Sequence, residues 1–241
     1  MPDLSENATC PPHTRAVDFG HVLVLVNYAT GRVQCLPPAA AARWRAAART
    51  GDLTALGTVL THQLLGLGVL TPTDRAVPWA APVTAAAARA SWGGAEHPAG
   101  MVRPPRVPLR SSVRAGTALA RVTAVSRRPH GMERVITLLS RATRRARRPA
   151  TGQEAEAIIR AVRRAGWYSP ARTACLEESA AAVLLLAARG RRVLWCHGVA
   201  PDPVRLHAWV QTVDGAIVGE PESTGAYTPV LTIGDHHQHR A

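Results

Sequence analysis

The chain has 241 residues and a formal charge of +13, with 46% hydrophobic but only 4% aromatic residues. This length allows one large or two small domains, whose cores must rest on alanine, valine and leucine. All 29 basic residues are arginine. Together with the alanine and proline content, this bias suggests a GC-rich coding sequence, so the charge is weak evidence for a nucleic-acid partner. An acidic peptide or protein would be attracted equally well.

The four cysteines, Cys10, Cys35, Cys175 and Cys196, lie far apart and form no CxxC pair. Because metal-site spacing is missing, no metal or other cofactor is expected. The chain does not begin with a basic start and an apolar run, so no signal peptide is expected. The longest apolar stretch, Ala180 to Ala188, is too short to cross a bilayer. These features favour a cytoplasmic protein with reduced thiols and no membrane partner.

The first third of the chain changes from a strand pattern to a helix pattern. Residues 1–13 are polar and predict a loose start, whereas alternating apolar residues over 15–36 predict three strands. The Pro37-Pro38 pair ends the sheet and starts a helix over 39–49. A second helical period runs from 53 to 67. Residues 14–72 therefore predict a winged-helix-like unit of three strands followed by helices.

A resemblance appears in the same unit. The hairpin is followed by Leu-Pro-Pro-Ala-Ala-Ala-Ala-Arg-Trp, a Gly-Asp break and Leu-Leu-Gly-Leu-Gly-Val-Leu. This succession resembles the peptide-recognition elements of ribosomal-peptide-modifying systems, PqqD-like domains similar to the chaperone of pyrroloquinoline quinone synthesis. The resemblance implies that residues 14–72 bind a leader peptide as an added strand at a sheet edge, here 33–36, beside a helix over 53–65. The candidate leader-binding residues are Val33, Cys35, Leu56 and Leu60, although for about half of them an ordinary core position is the more frequent outcome.

The middle of the chain has the composition of a linker and then of helices. Residues 73–114 are rich in proline, alanine, glycine and arginine, which predicts a linker. Helical patterns follow at 115–125 and 132–146, and the arginine run at 141–148 is interpreted as a solvated helix face. The sequence Thr-Gly-Gln-Glu from Thr151 predicts a capping box at the start of a further helix. The tail, residues 234–241, is expected to be disordered.

The sequence predicts an apolar helix that begins at Cys175 and ends near Gly190. The start of a helix lowers the pKa of a thiol through its partial positive charge, and it offers free backbone N–H groups to an oxyanion. Strand patterns follow at 193–196 and 207–213, and they present His207. A histidine that faces the helix start is the base partner that a nucleophilic thiol needs. Each residue alone would more often be structural, but their order and spacing favour a thiol site.

A third group should orient the imidazole. A hairpin turn at Asp214-Gly215 is expected to bring the chain back so that residues 220 and 222 share the face of His207. Glu220 would then be a diagonal neighbour of His207 and is the first candidate for the orienting acid. Asp214 and Glu222 remain candidates, because a slip of one residue would reverse the argument.

The second half of the chain carries the more specific resemblance. The run from Cys-Leu-Glu-Glu-Ser-Ala at 175, through Leu-His-Ala-Trp-Val at 206, to Asp-Gly at 214 resembles the leader peptidase of lasso-peptide biosynthesis. That family has a transglutaminase-like, papain-type fold, and the resemblance assigns its Cys-His-acid site to Cys175, His207 and Glu220. It implies an α+β protein in which a recognition element is fused to a cysteine peptidase domain over 115–233. One departure is Glu177-Glu178, where family members often carry proline or arginine.

Together the two halves predict a leader peptidase in which His207 takes the proton of Cys175 and the thiolate attacks the leader–core bond. The resemblance implies a precursor peptide as substrate and an asparagine-synthetase-like cyclase as partner, with no nucleic acid involved. One alternative is an acyl-transferring or cross-linking enzyme that uses an amine instead of water. A second is an arginine-rich winged-helix protein that binds nucleic acid, but that alternative leaves the Cys-His pattern unexplained.

Overall fold

A computed structural model describes residues 7–85, 104–170 and 173–235. The chain divides into two compact units, Met1–Ala88 and Arg89–Ala241. From residue 236 onward, the tail predicted to be disordered lies outside the described residues. Within the described ranges, no helix is both long enough and apolar enough to cross a membrane.

The first unit combines a four-stranded sheet with two helices. Its elements are β1 (Asn7–Thr9), β2 (Thr14–Asp18), β3 (Leu23–Asn27), β4 (Arg32–Leu36), α1 (Pro38–Thr50), α2 (Thr58–Gly66), β5 (Thr71–Thr73) and β6 (Val83–Thr84). The predicted order of three strands followed by helices is confirmed. The second predicted helix is interrupted, because Gly57 has a φ of +74° and separates a 3-10 turn, Thr54–Leu56, from α2.

Two predictions for this unit are wrong. The start of the chain is not loose throughout, since β1 pairs with β5 and Ala8 is fully buried. The linker also begins later than residue 73. Trp79 packs on Trp44 at 4.6 Å between ring centroids and donates its indole N–H to the carbonyl of Ala8 over 2.7 Å. β6 then pairs with β2, so a buried tryptophan and a short strand fold a proline-rich segment onto the unit.

The sheet order of the first unit is β4-β3-β2-β6. All five residues of β3 are buried, and β3 lies between β2 and β4 in the sheet. β4 pairs with β3 alone among the described strands, so it forms an edge. The first unit therefore places at its margin the strand that was predicted to receive a peptide.

The second unit packs helices on a three-stranded sheet. Its elements are α3 (Leu109–Ser126), α4 (Gly131–Thr143), β7 (Arg148–Pro149), α5 (Gly152–Trp167), α6 (Cys175–Ala188), β8 (Arg191–Arg192), β9 (Leu194–Pro201), β10 (Val204–Gln211) and β11 (Thr228–Ile233). All four predicted helices are present, although α3 begins six residues before residue 115. The predicted capping box is also present: Thr151 Oγ1 accepts from the N–H of Glu154, and the Glu154 carboxylate accepts from the N–H of Thr151.

The helix α6 lies at the centre of the second unit and contacts α3, α4, α5, β9 and β10. A helix that is apolar on every side belongs in the interior, and the fully buried Ala180, Ala181 and Ala182 let the neighbouring elements approach closely. The sheet order is β10-β9-β11. The return strand expected over 216–218 is reduced to a single bridge between Gln211 and Ile217, and β11 pairs on the other side of β9.

Candidate active site

Cys175 is the first residue of α6, and its half-buried side chain packs against the core. Glu177 holds this end of the helix in place. One of its carboxylate oxygens accepts from the N–H of Ala174 over 3.1 Å, and the other accepts from the Ser126 hydroxyl on α3 over 3.0 Å. A carboxylate in the first turn also suits the positive end of the helix dipole. Glu177 therefore has a structural role at the start of α6.

Ser179 connects the first turn of α6 to the central strand of the sheet. Its hydroxyl donates to the carbonyl of Cys175 over 2.6 Å and accepts from the indole N–H of Trp195, on β9, over 2.9 Å. Both side chains are buried. Buried polar groups are costly unless they are paired, so this chain of bonds fixes where the cysteine stands relative to β9.

His207 lies on β10 between a thiol and a carboxylate. Its Nε2 is 3.1 Å from Oε2 of Glu220, and the two side chains are only 20% and 10% exposed. Burial by itself would lower the pKa of His207, but hydrogen bonds to Cys175 and Glu220, and their negative charges, raise it from 6.5 to about 9. Because Nε2 meets Glu220, Nδ1 is the ring nitrogen that is left for the thiol. The raised pKa keeps the imidazole of His207 protonated at neutral pH, with the Glu220 carboxylate on one side and the Cys175 side chain on the other.

Aromatic rings enclose the imidazole. The rings of Trp209 and Tyr227 lie 6.0 Å and 5.2 Å from that of His207, centroid to centroid. Gly198 is the residue opposite His207 on β9. A Cβ at Gly198 would lie 2.7 Å from the Trp209 ring and 2.7 Å from the carbonyl oxygen of Thr228, so only glycine leaves room for this packing.

A second histidine, His197, is buried beside this group on β9. Burial, and next the positive charge of His207, lower the pKa of His197 to about 4. Its ring is therefore neutral at the pH where His207 is charged. The two histidines consequently have different roles, and only His207 is placed to hold the proton of a thiol.

Glu220 reaches His207, although the route differs from the prediction. The observed bridge joins Gln211 to Ile217, one residue out of the predicted register. Continued pairing in that register would have turned Glu220 to the other face of the sheet. The chain instead leaves the sheet after Val218, where Gly219 adopts a φ of +66°. Glu220 then approaches the imidazole from a loop.

The two other candidates for the orienting acid lie elsewhere. Asp214 sits exposed in the turn, where a hydrogen bond from Thr212 lowers the pKa of its carboxyl. Glu222 is exposed at the start of a 3-10 turn over 222–226. Among the described residues, neither carboxylate forms a hydrogen bond with His207, whereas Glu220 does.

Two further charged residues of this region were missed in the sequence. Arg163, on α5, pairs with Oε1 of Glu220 over 2.6 Å. Glu178, on α6, has its pKa raised by burial, which outweighs a hydrogen bond from Thr173 and the positive charge of Arg163. A signal for Arg163 exists, since it follows the buried Ile159 by four residues and so continues the apolar stripe of α5.

The candidate leader-binding residues divide into surface and core. Val33 and Cys35 are exposed on the edge strand β4. Leu60 is half-buried against the core, and Leu56 is fully buried, so the prediction that Leu56 lines a peptide pocket is corrected. A groove of about 290 Å³ does lie along β4. It is lined by Arg32, Val33, Gln34, Leu67 and Val69.

The groove is also closed by a different part of the chain from the one predicted. The predicted wall was the helix over 53–65, whereas the observed wall comes from Leu67 and Val69, immediately after α2. The helix residues Thr61 and Leu64 are buried in the unit instead.

The described residues contain no group of three or more His, Cys, Asp or Glu side chains arranged to hold a metal ion.

Comparison with known proteins supports the fold around the thiol. Residues 117–232 match the family model of the transglutaminase-like superfamily, so this part of the chain is a transglutaminase-like domain. The matched range contains Cys175, His207 and Glu220. No curated protein and no solved structure matches the chain. A transglutaminase-like domain supports cysteine-protease or acyltransferase chemistry.

Proposed function

We propose that this protein is a leader peptidase of a lasso-peptide pathway, with Cys175 as nucleophile, His207 as base and acid, and Glu220 as the orienting group. The observation that carries the proposal is the position of His207, which is hydrogen-bonded to Cys175 on one side and to Glu220 on the other. That relay of thiol, imidazole and carboxylate is what a cysteine nucleophile requires. Its place inside the transglutaminase-like match supports the same chemistry.

In the proposed reaction the proton of Cys175 resides on His207, and the thiolate attacks the carbonyl carbon of the leader–core bond. The tetrahedral oxyanion collapses as the C–N bond breaks, and His207 gives its proton to the departing amine. A thioester now joins the leader to Cys175. Water, deprotonated by the neutral His207, then attacks this thioester, and its hydrolysis restores the thiol and frees the leader carboxylate.

The start of α6 can contribute to the stabilisation of the oxyanion. The first N–H groups of a helix have no partner within the helix, and the N–H of Cys175 is one of them. A backbone donor beside the attacking sulfur is aimed at the charge that develops on the carbonyl oxygen. In this proposal, Glu177 and Ser179 keep that end of the helix rigid.

The first unit supplies the proposed specificity. Its edge strand β4 and the adjacent groove suit a peptide that adds as a strand, with an apolar side chain resting between Val33 and Val69. A recognition unit on the same chain raises the effective concentration of the bound peptide at the thiol. The released core peptide would pass to an asparagine-synthetase-like cyclase, as the family resemblance implies.

The same acyl-enzyme could be resolved by an amine instead of water, which would make the protein an acyl transferase. Incubation with the precursor peptide encoded beside this protein separates the two reactions. Hydrolysis gives two fragments whose masses sum to the peptide plus one water, whereas transfer joins the leader to an amine. Intact peptide after incubation with the wild-type protein would refute the peptidase proposal.

A further inference from the structure

The guanidinium of Arg163 makes two contacts with the segment that presents Glu220. One nitrogen donates to Oε1 of Glu220 over 2.6 Å, and another donates to the carbonyl oxygen of Gly219. The other carboxylate oxygen, Oε2, meets Nε2 of His207. The carboxylate is therefore held from two directions, by an arginine on α5 and by the imidazole on β10.

No strand fixes Glu220, because the chain has left the sheet at Val218 and turned at Gly219. A glutamate on a loop has three side-chain torsions to lose, and fixing them costs conformational entropy. The planar guanidinium offsets this cost with two charge-assisted contacts, one to the carboxylate and one to the backbone before it. Arg163 thus determines both where the loop runs and which way the carboxylate faces.

We propose that Arg163 is a positioning residue for the thiol site: it holds Glu220 against His207 and affects Cys175 only through that carboxylate. The inference rests on the proposed function in that Glu220 is taken as the orienting acid. It adds a fourth residue to the constellation, supplied by a helix that carries none of the other three.

If Arg163 acted in another way, its removal would change the basicity of His207 in the opposite direction. An arginine that acted only as a nearby positive charge would disfavour the imidazolium, so its removal would make His207 more basic. Loss of a positioning residue instead frees Glu220 and makes His207 less basic. The other titratable or charged groups close to His207, Glu220 and Arg163 are Cys175 and Glu178 on α6, His197 on β9, Arg205 on β10, and Tyr227.

Alkylation by iodoacetamide at pH 6, quantified for each cysteine by peptide mass spectrometry, measures the effect without any peptide substrate. An ordinary thiol is largely protonated at this pH and reacts slowly, whereas a thiolate paired with an imidazolium reacts fast. The exposed Cys35 serves as the internal reference. The variants are Arg163→Met, Arg163→Lys, Glu220→Gln and the double variant Arg163→Met/Glu220→Gln. The matched control is Arg160→Met, since Arg160 lies one turn away and pairs with Glu156 on the exposed side.

Arg163→Met and Glu220→Gln should each slow alkylation of Cys175 about tenfold, because an imidazole that the carboxylate no longer orients stabilises the reacting thiolate less. The double variant should be no slower than Glu220→Gln, because both changes remove one interaction. Arg163→Lys should be intermediate, since an ammonium does not reproduce the two-pronged contact. Arg160→Met should match the wild type.

Three results would overturn the positioning role: unchanged or faster alkylation in Arg163→Met, a double variant slowed by the product of the single effects, or full reactivity in Arg163→Lys. The last comparison decides the case if Arg163→Met does not fold, as its melting temperature will show. If the wild-type Cys175 itself reacts no faster than Cys35, the thiol site fails instead. The two failures are therefore distinguishable.

Discussion

The two parts of the proposed function are assigned to regions that differ in kind, the thiol end of the second unit and the edge of β4 in the first unit. At the thiol end, α6, β10 and a loop bring together a cysteine, a histidine and a glutamate, with Arg163 on α5 behind them. At the edge of β4, the surface offers backbone and apolar side chains around a shallow groove. Chemistry requires particular side chains at short distances, whereas strand addition relies largely on backbone groups that every residue carries. The thiol end therefore depends on the identity of particular side chains, whereas the edge of β4 depends on the position of the strand in the sheet.

The largest expected effect is that of Cys175→Ala, which should abolish cleavage and leave leader binding unchanged. Cys175→Ala removes the nucleophile and should lower the cleavage rate by a factor of 10³ or more, on the order of what loss of a covalent nucleophile costs. Leader binding at the first unit should stay within twofold of the wild type. Product masses and a fluorescent leader-peptide titration measure the two quantities. Cleavage retained by Cys175→Ala would remove Cys175 from the mechanism.

The pH dependence of cleavage tests the thiol end alone. His207 must be protonated to release the amine, so cleavage by the wild type should fall as pH rises through about 9. Glu220→Gln weakens the support for the imidazolium and should shift this fall to lower pH, with roughly a 10- to 100-fold loss of rate at pH 8. Asp214→Asn is the control, since Asp214 lies in the turn. An unchanged pH limit in Glu220→Gln would detach Glu220 from His207.

The same proton also links stability to pH. The folded pKa of His207, about 9, exceeds its ordinary value of 6.5, so the folded state binds the proton more tightly than the unfolded state. The stability gained from this pair is complete below about pH 6.5 and is lost as pH rises through 9. The melting temperature should therefore decline over that interval in the wild type. A smaller decline is expected in His207→Gln, which cannot take up the proton.

A charge placed in the groove tests the first region alone. Val33→Asp puts a carboxylate on the edge strand beside the groove and should weaken leader binding about tenfold, because an apolar contact is replaced by a group that must be desolvated. Iodoacetamide reactivity of Cys175 should not change. Val59→Asp is the matched control, as Val59 is 83% exposed on α2 and does not line the groove. Equal losses of affinity in the two variants would show that the groove is not the binding surface.

The smallest effect concerns the link between α6 and β9. Ser179→Ala leaves the buried indole N–H of Trp195 without its partner, which should lower the free energy of unfolding by about 1–3 kcal/mol. Chemical denaturation measures this change. Thr117→Ala is a control, since its hydroxyl bonds only to the carbonyl of Val113 on the exposed face of α3. A loss no larger than that of the control would show that the bridge does not stabilise the helix start.

The sequence predicted the elements of the second unit better than their connections. Apolar periodicity and the capping box located α5 and α6, because both signals are local. The pairing of β11 with β9 was not predicted, since strand order depends on contacts between distant residues. Trp79 shows the same limit in the first unit: a proline-rich context concealed a tryptophan that is buried against Trp44.

Glu220 does contact His207, but the chain reaches that position by a path that differs from the predicted one. Glu220 was chosen by extending a hairpin that in fact ends at Val218, and the loop bond to His207 depends on the turn at Gly219. Leu56 was misassigned because an apolar residue near a groove and one in the core look alike in sequence. Arg163 was missed because its position on the apolar stripe of α5 shows that it faces inward but does not reveal a partner 57 residues away. Long-range pairs of this kind have no local pattern.

The decisive step of the proposed reaction is a covalent acyl-enzyme between Cys175 and the leader, and acid-quenched mass spectrometry detects that species. The protein is mixed with the precursor peptide, quenched in the first turnovers and digested. We expect an adduct on Cys175 equal to the leader fragment less one water, absent from Cys175→Ala and present while cleavage proceeds. Cleavage that proceeds with no adduct at Cys175, or with the adduct on another cysteine, would contradict it.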